Sequence, residues 1–206
     1  QDGVLSAGVP GTVAGLFASM KYARLPFKKL IQPAIDLAEK GFAITKSQAD
    51  DFNEYAGDFN KYNTSPVAFV KFVPWKEGDV LVQLNLAATL KRIRDKGAKG
   101  FYEGETAKLI VEEMQRSKGI ISYEDLKNYK AKERVPVRFM YKGYEIISMP
   151  LPSSGGILLQ QMLGMIEDKN ISSLKFQTAA SIQLMVEAER RAYADRAEYL
   201  GDADFV

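Results

Sequence analysis

The sequence predicts a helix-rich α/β (α+β) fold, and two patterns carry that prediction. Apolar residues recur at helical spacing along most of the 206 residues, whereas residues 135–148 show the two-residue alternation of a β-hairpin. Two strands alone are marginally stable in water, and this many helices need more sheet to pack against. We therefore expect residues 1–206 to be a single partial domain with an incomplete sheet. The abrupt start at Gln1 and stop at Val206 suggest a piece of something longer.

Capping signals and apolar spacing place the helices of the first 130 residues. Thr45 with Gln48, and Ser122 with Asp125, have the spacing of capping boxes. Pro33 has no backbone N–H, so it fits best in the first turn of its helix. Helices are predicted after the turn at residues 8–11, across residues 30–41 with Gly41 as the C-cap, after Thr45, over 83–96, over 105–117 and over 122–129. Residues 100–104 are predicted to break the helix between the fourth and fifth of these segments. Residues 58–80 are predicted to form a long surface loop that contains a short strand at 67–73.

The last third of the chain alternates strand and helix signals. The hairpin at 135–148 turns at Lys142 and Gly143. A loop then leads into a helix at 157–166, and a final long helix spans roughly residues 178–200.

Composition excludes several kinds of chemistry. The chain has no Cys, so it forms no disulfide, thiolate nucleophile or zinc–thiolate site. It has no His, so Ser-His-Asp and Cys-His mechanisms are impossible within it. The net charge of +2 gives no reason to expect a nucleic-acid partner. No run approaches the ~18–20 apolar residues of a membrane span, and we expect neither a metal site nor a cofactor.

The most suggestive local feature is the loop of Pro152, Ser153, Ser154, Gly155 and Gly156. Glycines before a helix allow backbone N–H groups to face an anion. The plainer interpretation, which we favour, is a strand-to-helix turn with glycine at positive φ and a serine as the helix cap. The loop lacks the Lys of a phosphate-binding loop and the Gly-x-Ser-x-Gly of a nucleophile elbow.

The final helix carries many charges. Glu187 with Arg191, and Arg191 with Asp195, have the i,i+4 spacing of surface ion pairs. An Arg that binds a carboxylate is the functional alternative, but a solvated or interface face is the commoner explanation.

Five motifs resemble the large subunit of γ-glutamyltransferases, in the family's order. They are Gly-Val-Pro-Gly-Thr-Val-Ala-Gly at 8–15, Gln-Pro-Ala at 32–34, Gly-Phe-Tyr at 100–102, Asp-Leu-Lys-Asn-Tyr at 125–129 and Ser-Met-Pro-Leu-Pro-Ser-Ser-Gly-Gly-Ile at 148–157. A sixth, Glu-Ala-Glu-Arg-Arg-Ala-Tyr-Ala-Asp-Arg-Ala-Glu-Tyr-Leu-Gly-Asp-Ala-Asp-Phe-Val at 187–206, resembles the end of that subunit's helical region. The resemblance covers essentially the whole chain; one departure is Leu151, where the family usually has Pro.

The resemblance implies a precursor that cleaves itself into a large and a small subunit. Together they form an αββα four-layer sandwich of the N-terminal-nucleophile hydrolase type. The new N-terminal Thr of the small subunit attacks the γ-glutamyl carbonyl of glutathione or a relative, without a cofactor. The γ-glutamyl group then passes to water, an amino acid or a peptide. Bacterial members are usually periplasmic or extracellular.

Relative to that family, this chain ends before the Thr-Thr processing site and begins after the Arg that holds the substrate carboxylate. We therefore assign no catalytic or substrate-binding residue and expect the isolated chain to be inactive. The loop at 152–156 would lie near the active site only in the whole enzyme. Two alternatives remain open: a related acylase or poly-γ-glutamate depolymerase, and a non-catalytic binding module that keeps the scaffold.

Overall fold

The computed structural model describes residues 3–205, so Gln1 and Val206, on which the expectation of a cut chain rests, lie outside it. Within that range the protein is helix-rich with two small sheets, which confirms the predicted balance of helix and strand. The chain divides into two compact units, with the boundary in the sequence after Lys132. Each unit is described by itself, and the single domain over 1–206 stays a prediction.

Over residues 3–132, the first unit contains eight α-helices and one two-stranded sheet. Its elements are α1 (Thr12–Ser19), α2 (Phe27–Lys40), β1 (Phe42–Ala43), α3 (Lys46–Glu54), α4 (Ala56–Tyr62), β2 (Val80–Leu81), α5 (Leu84–Lys96), α6 (Lys99–Tyr102), α7 (Gly104–Ser117) and α8 (Tyr123–Asn128). Both predicted capping boxes are present, at the start of α3 and of α8. Gly41 caps α2 with a positive φ of 81°, as predicted.

One core holds most of these helices together. Ile35 of α2 and Leu126 of α8 are fully buried at its centre. Tyr102 stands at its edge, where its hydroxyl donates to the carbonyl of Pro10 at 2.6 Å and accepts from the N–H of Ala14. This hydroxyl therefore ties α6 to the turn that starts α1.

The position of Pro33 differs from the prediction. It is the seventh residue of α2, because the helix starts directly after Pro26, whose extended backbone forms the N-cap. A mid-helix Pro removes one backbone hydrogen bond and strains the helix. The buried residues Ile31, Ile35 and Ala38 anchor α2 on both sides of it, and this packing offsets the loss.

Residues 58–80 also differ from the prediction. The first five complete α4, and the strand predicted at 67–73 is an irregular turn. The strand lies instead at Val80–Leu81, where it pairs antiparallel with Phe42–Ala43. Two-residue strands are too short to show alternation, so the sequence pattern could not reveal them. Similarly, the predicted helix breaker at 100–104 contains most of α6.

Trp75 fixes this irregular segment to a second, smaller core. Its ring is buried with Ile44, Ala49 and Leu81. The Asn53 side chain bonds both the N–H and the carbonyl of Trp75, and the indole N–H donates to the carbonyl of Phe69 at 2.7 Å. Every polar group that Trp75 buries thus has a partner, which is the condition for burying it without penalty.

Glu113 ties α7 to the segment after α4 and should make stability depend on pH. Its carboxylate accepts from Arg116, Thr64 and Ser117, and these bonds, led by Arg116, lower the pKa from 4.5 to about 2. A lowered folded-state pKa stabilises the fold at pH values above the unfolded-state pKa, and that contribution is lost as pH falls from 4.5 towards 2.

We expect Glu113→Gln to flatten the dependence of the free energy of unfolding on pH in this window, measured by urea unfolding at a series of pH values. Glu112→Gln is the matched control, since the carboxylate of Glu112 lies at the longer distance of 3.8 Å from Nζ of Lys108. Equal acid limbs for both variants would contradict the assignment.

The second unit is a hairpin and two helices. Its elements are β3 (Val137–Tyr141), β4 (Tyr144–Ser148), α9 (Gly155–Ile166) and α10 (Ala179–Tyr199), with a short 3₁₀ helix at Ile171–Leu174. The predicted hairpin and both helices are confirmed. Lys142 and Gly143 both have positive φ, 47° and 84°, which is the turn geometry that matches the twist of paired strands.

One face of the hairpin is half-buried and contacts α9, and the other face is open. Phe139 pairs with Ile146 on the half-buried side. On the open side, Met140 and Ile147 are more than half exposed. Within residues 3–205, β3 and β4 pair only with each other, so the outer edge of each strand carries free backbone groups.

Candidate functional site

The loop singled out in the sequence joins the end of β4 to the start of α9, as predicted. Ser148 is the last residue of β4 and Gly155 the first of α9. The N–H of Ser153 donates to the carbonyl of Pro150 at 3.1 Å, which closes a tight turn. Pro152, Ser153 and Gly155 are exposed, whereas Ser154 is partly covered and Gly156 is buried.

Two expectations about this loop are wrong. Ser154 is the N-cap residue of α9, but it has helical φ and ψ and its side chain makes no capping bond. Gly155 and Gly156 lie inside the first turn of the helix and neither has a positive φ. The loop therefore requires no left-handed backbone, and its glycines are explained by space instead.

Gly156 is the residue that the packing constrains. A Cβ at this position would lie 2.2 Å from the carbonyl oxygen of Met149 and 3.2 Å from Cβ of Ser148. At Gly155 a Cβ would meet only Oγ of Ser153, at an ordinary 3.7 Å. The start of α9 thus presses directly on the backbone that leaves β4, and only glycine permits this approach.

Two side-chain bonds fix this end of α9 to α10. Nε of Arg196 donates to Oγ of Ser154 at 3.0 Å, and Nε2 of Gln161 donates to a carboxylate oxygen of Asp195 at 2.8 Å. The sequence analysis predicted neither the contact of Arg196 with the loop nor the contact of Gln161 with α10. Arg196 stood out only as one charge among many, although a Gln within an apolar helix was a usable signal.

Three other charges of α10, those of Glu187, Arg190 and Arg191, form a local surface cluster. Glu187 accepts from Arg190 and Arg191, and these bonds, led by Arg190, lower the pKa of Glu187 from 4.5 to about 2. The predicted pair of Glu187 with Arg191 is thus confirmed. Asp195 bonds to Gln161 instead of the predicted Arg191, because it faces α9.

This arrangement positions backbone and side chains but does not activate a nucleophile. Ser154 is bonded to a guanidinium, which stays protonated and cannot remove the hydroxyl proton. Among residues 3–205, no group of three or more acidic side chains is placed to hold a metal ion.

Comparison with known proteins identifies the scaffold. A family model described as Gamma-glutamyltranspeptidase matches residues 1–206. The chain belongs to the gamma-glutamyltranspeptidase family. It is 45% identical over 205 residues to the glutathione hydrolase proenzyme of Escherichia coli strain K12. The aligned stretch covers 98% of this chain and 35% of that protein. It is also 35% identical to the acylase ACY 1 proenzyme of Pseudomonas sp. strain SE83, over 99% of this chain and 37% of that protein.

Solved gamma-glutamyltranspeptidase structures share its fold. The crystal structure of the Helicobacter pylori gamma-glutamyltranspeptidase superposes with a TM-score of 0.95 at 48% identity, over 100% of this chain and 60% of that one. The chain spans about a third of the length of the bacterial glutathione hydrolase proenzymes that it matches. In the part of the chain that the structure describes, no helix is long and apolar enough to cross a membrane.

Proposed function

We propose that this chain is part of the large subunit of a precursor that cleaves itself and then breaks γ-glutamyl bonds. The substrate would be glutathione or a relative, and the γ-glutamyl group would pass to water, an amino acid or a peptide. The observation that carries the proposal is the 45% identity to a glutathione hydrolase proenzyme along 98% of the chain.

The chemistry is proposed to lie outside these 206 residues. The family mechanism needs a Thr that becomes an N-terminus, with its own amine as the base, and hydrolysis by this route needs no cofactor. The six Thr residues here are never adjacent, so the Thr-Thr processing site is not among them. Thr45 and Thr178 accept capping bonds, and Thr106 donates to the carbonyl of Gly100. We infer that the chain alone is inactive.

A small subunit is the partner that fits the open hairpin. The exposed outer edges of β3 and β4, and the apolar side chains of Met140 and Ile147, would be covered by added strands and a second sheet layer. This would complete an αββα sandwich, with the 152–156 loop near the active site. Export to the periplasm or the cell exterior is proposed by analogy with the family.

A second candidate function is an acylase that acts on amides other than γ-glutamyl ones. The 35% identity to an acylase proenzyme along 99% of the chain favours it. We propose that the substrate contacts that separate the two enzymes belong to the small subunit.

Assays of the full-length precursor and of the 206-residue chain test the function. We expect the precursor to divide into two fragments, to release dye from a γ-glutamyl anilide, and to act more slowly on an acyl anilide without the α-amino group. The chain alone should release no dye, because the nucleophile and oxyanion donors act as a unit. Turnover by the purified chain would contradict the proposal that the catalytic groups lie outside these 206 residues. Faster turnover of the simple acyl anilide by the precursor would establish the acylase instead.

A further inference from the structure

The segment between α9 and α10 carries a motif that γ-glutamyl chemistry does not use. Asn170, Ile171 and Ser172 form an Asn-x-Ser sequence, the acceptor motif for N-linked glycans. Asp168 stands two residues before the Asn, where acceptor sites of bacterial glycan transferases carry an acidic residue. The motif lies in a surface segment, and Asp168, Asn170 and Ser172 are all exposed.

The local geometry prepares the Asn side chain for reaction. Oγ of Ser172 donates to Oδ1 of Asn170 at 2.7 Å. A hydrogen bond to the amide oxygen draws electron density from the amide nitrogen and makes its protons easier to remove. Among residues 3–205, Nδ2 of Asn170 donates to no acceptor, so no hydrogen bond competes for the nitrogen that would react. An open groove of about 570 Å³ borders Asn170 and leaves room for a first sugar.

We propose that Asn170 is an acceptor site for an N-linked oligosaccharide. The donor is an oligosaccharide on a lipid pyrophosphate, and a membrane oligosaccharyltransferase catalyses the transfer. Nδ2 attacks C1 of the first sugar, the C1–O bond to the pyrophosphate breaks, and the lipid pyrophosphate leaves with the electron pair. Nδ2 loses one proton to a base of the transferase, and nothing is oxidised or reduced. In the cell this step rests on the export proposed above, whereas acceptance by the transferase does not.

A second Asn-x-Ser sequence supplies an internal comparison. Asn63 precedes Thr64 and Ser65, but Lys61 occupies the position two residues before it. Its Nδ2 donates to the carbonyl of Phe59 at 2.8 Å, so the nitrogen is already engaged. Pro66 follows directly and restricts the backbone that the transferase must bind. The geometry therefore selects Asn170 over Asn63.

The test incubates folded full-length protein with a purified bacterial oligosaccharyltransferase and its lipid-linked donor. Trypsin then separates the sites, since cleavage after lysine gives peptide 170–175 for Asn170 and peptide 62–71 for Asn63. We expect mass spectrometry to find the glycan on peptide 170–175 only. Transfer should be lost in Asn170→Gln and Ser172→Ala, retained in Ser172→Thr, reduced in Asp168→Asn and unchanged in Asn63→Gln.

The surface variants keep the test independent of folding, and Ser172→Thr shows whether the hydroxyl itself is required. A wild-type protein that stays unmodified while a control acceptor peptide in the same tube is fully modified would overturn the proposal. So would a glycan found only on peptide 62–71, or equal transfer to Asn170→Gln. Because γ-glutamyl turnover is assayed separately, an inactive precursor that accepts the glycan would contradict only the proposed function.

Discussion

Gly156→Val in the full-length precursor should abolish soluble, self-cleaved protein. The new Cβ would lie 2.2 Å from the carbonyl oxygen of Met149 and 3.2 Å from its carbonyl carbon. Both are backbone atoms, so no rotamer change relieves the clash, and α9 must move away from β4. Overpacking of this kind costs about 1–3 kcal/mol or more, and here it also displaces the α9–β4 contact that covers one face of the hairpin.

Two neighbouring substitutions separate this effect from general damage to the loop. Gly155→Ala should be tolerated or slightly stabilising, since its Cβ would have 3.7 Å of clearance and alanine favours a helix by about 0.5–1 kcal/mol. Ser154→Ala removes the bond from Arg196 and should cost about 1 kcal/mol. Soluble yield, the fraction self-cleaved and the melting temperature measure all three. Normal cleavage of Gly156→Val would contradict the packing argument, and a folded, cleaved but inactive Ser154→Ala would make the loop catalytic.

The parts of the fold that the sequence predicted are those with local causes. The capping boxes at Thr45 and Ser122 depend on residues three apart, and the hairpin turn on the adjacent Lys142 and Gly143. The parts that it could not predict depend on distant contacts. The two-residue strands β1 and β2 exist because Phe42 meets Leu81, a pairing across about 40 residues that no window of local pattern contains.

The candidate site also combines features with local causes and features that depend on distant contacts. The position of the loop between β4 and α9 followed from the change of period around it. The reason for its glycines did not, because a close approach to Met149 and a positive φ produce the same residue in the sequence. Similarly, the expected serine cap was replaced by a bond from Arg196, 42 residues away. Short polar side chains near a helix start satisfy whichever donor the tertiary structure brings.

The motifs that identify the family are residues that pack or hydrogen-bond within the scaffold, and none of them is proposed to react with substrate. The motifs that matched include the residues of the Tyr102–Pro10 hydrogen bond, of the Gly156 contact and of the Arg196–Ser154 bond, all of which shape the scaffold. A chain can therefore be assigned securely to a family of enzymes while it holds none of the proposed reacting groups.

Leu126→Ala should produce the largest loss of stability within the first unit. Leu126 is fully buried and belongs to α8, a helix of six residues that is too short to persist without tertiary packing. Truncation of a buried leucine costs about 2–5 kcal/mol, with the upper end where the site cannot collapse. Loss of the anchor also loosens the adjoining Tyr129, whose ring stacks on Tyr102 at 5.9 Å, so the clamp on Pro10 should weaken as well.

The matched control is Leu109→Ala, which makes the same truncation at a side chain that is 46% exposed on α7. It should cost less than about 1 kcal/mol, since little apolar area returns to water. Urea unfolding, followed by Tyr fluorescence and by circular dichroism, measures both variants of the 206-residue chain against wild type. We expect the midpoint to fall several-fold further for Leu126→Ala, with the two probes coincident. Equal shifts for the two leucines would show that α8 frays from the core, and that Leu126 does not anchor it.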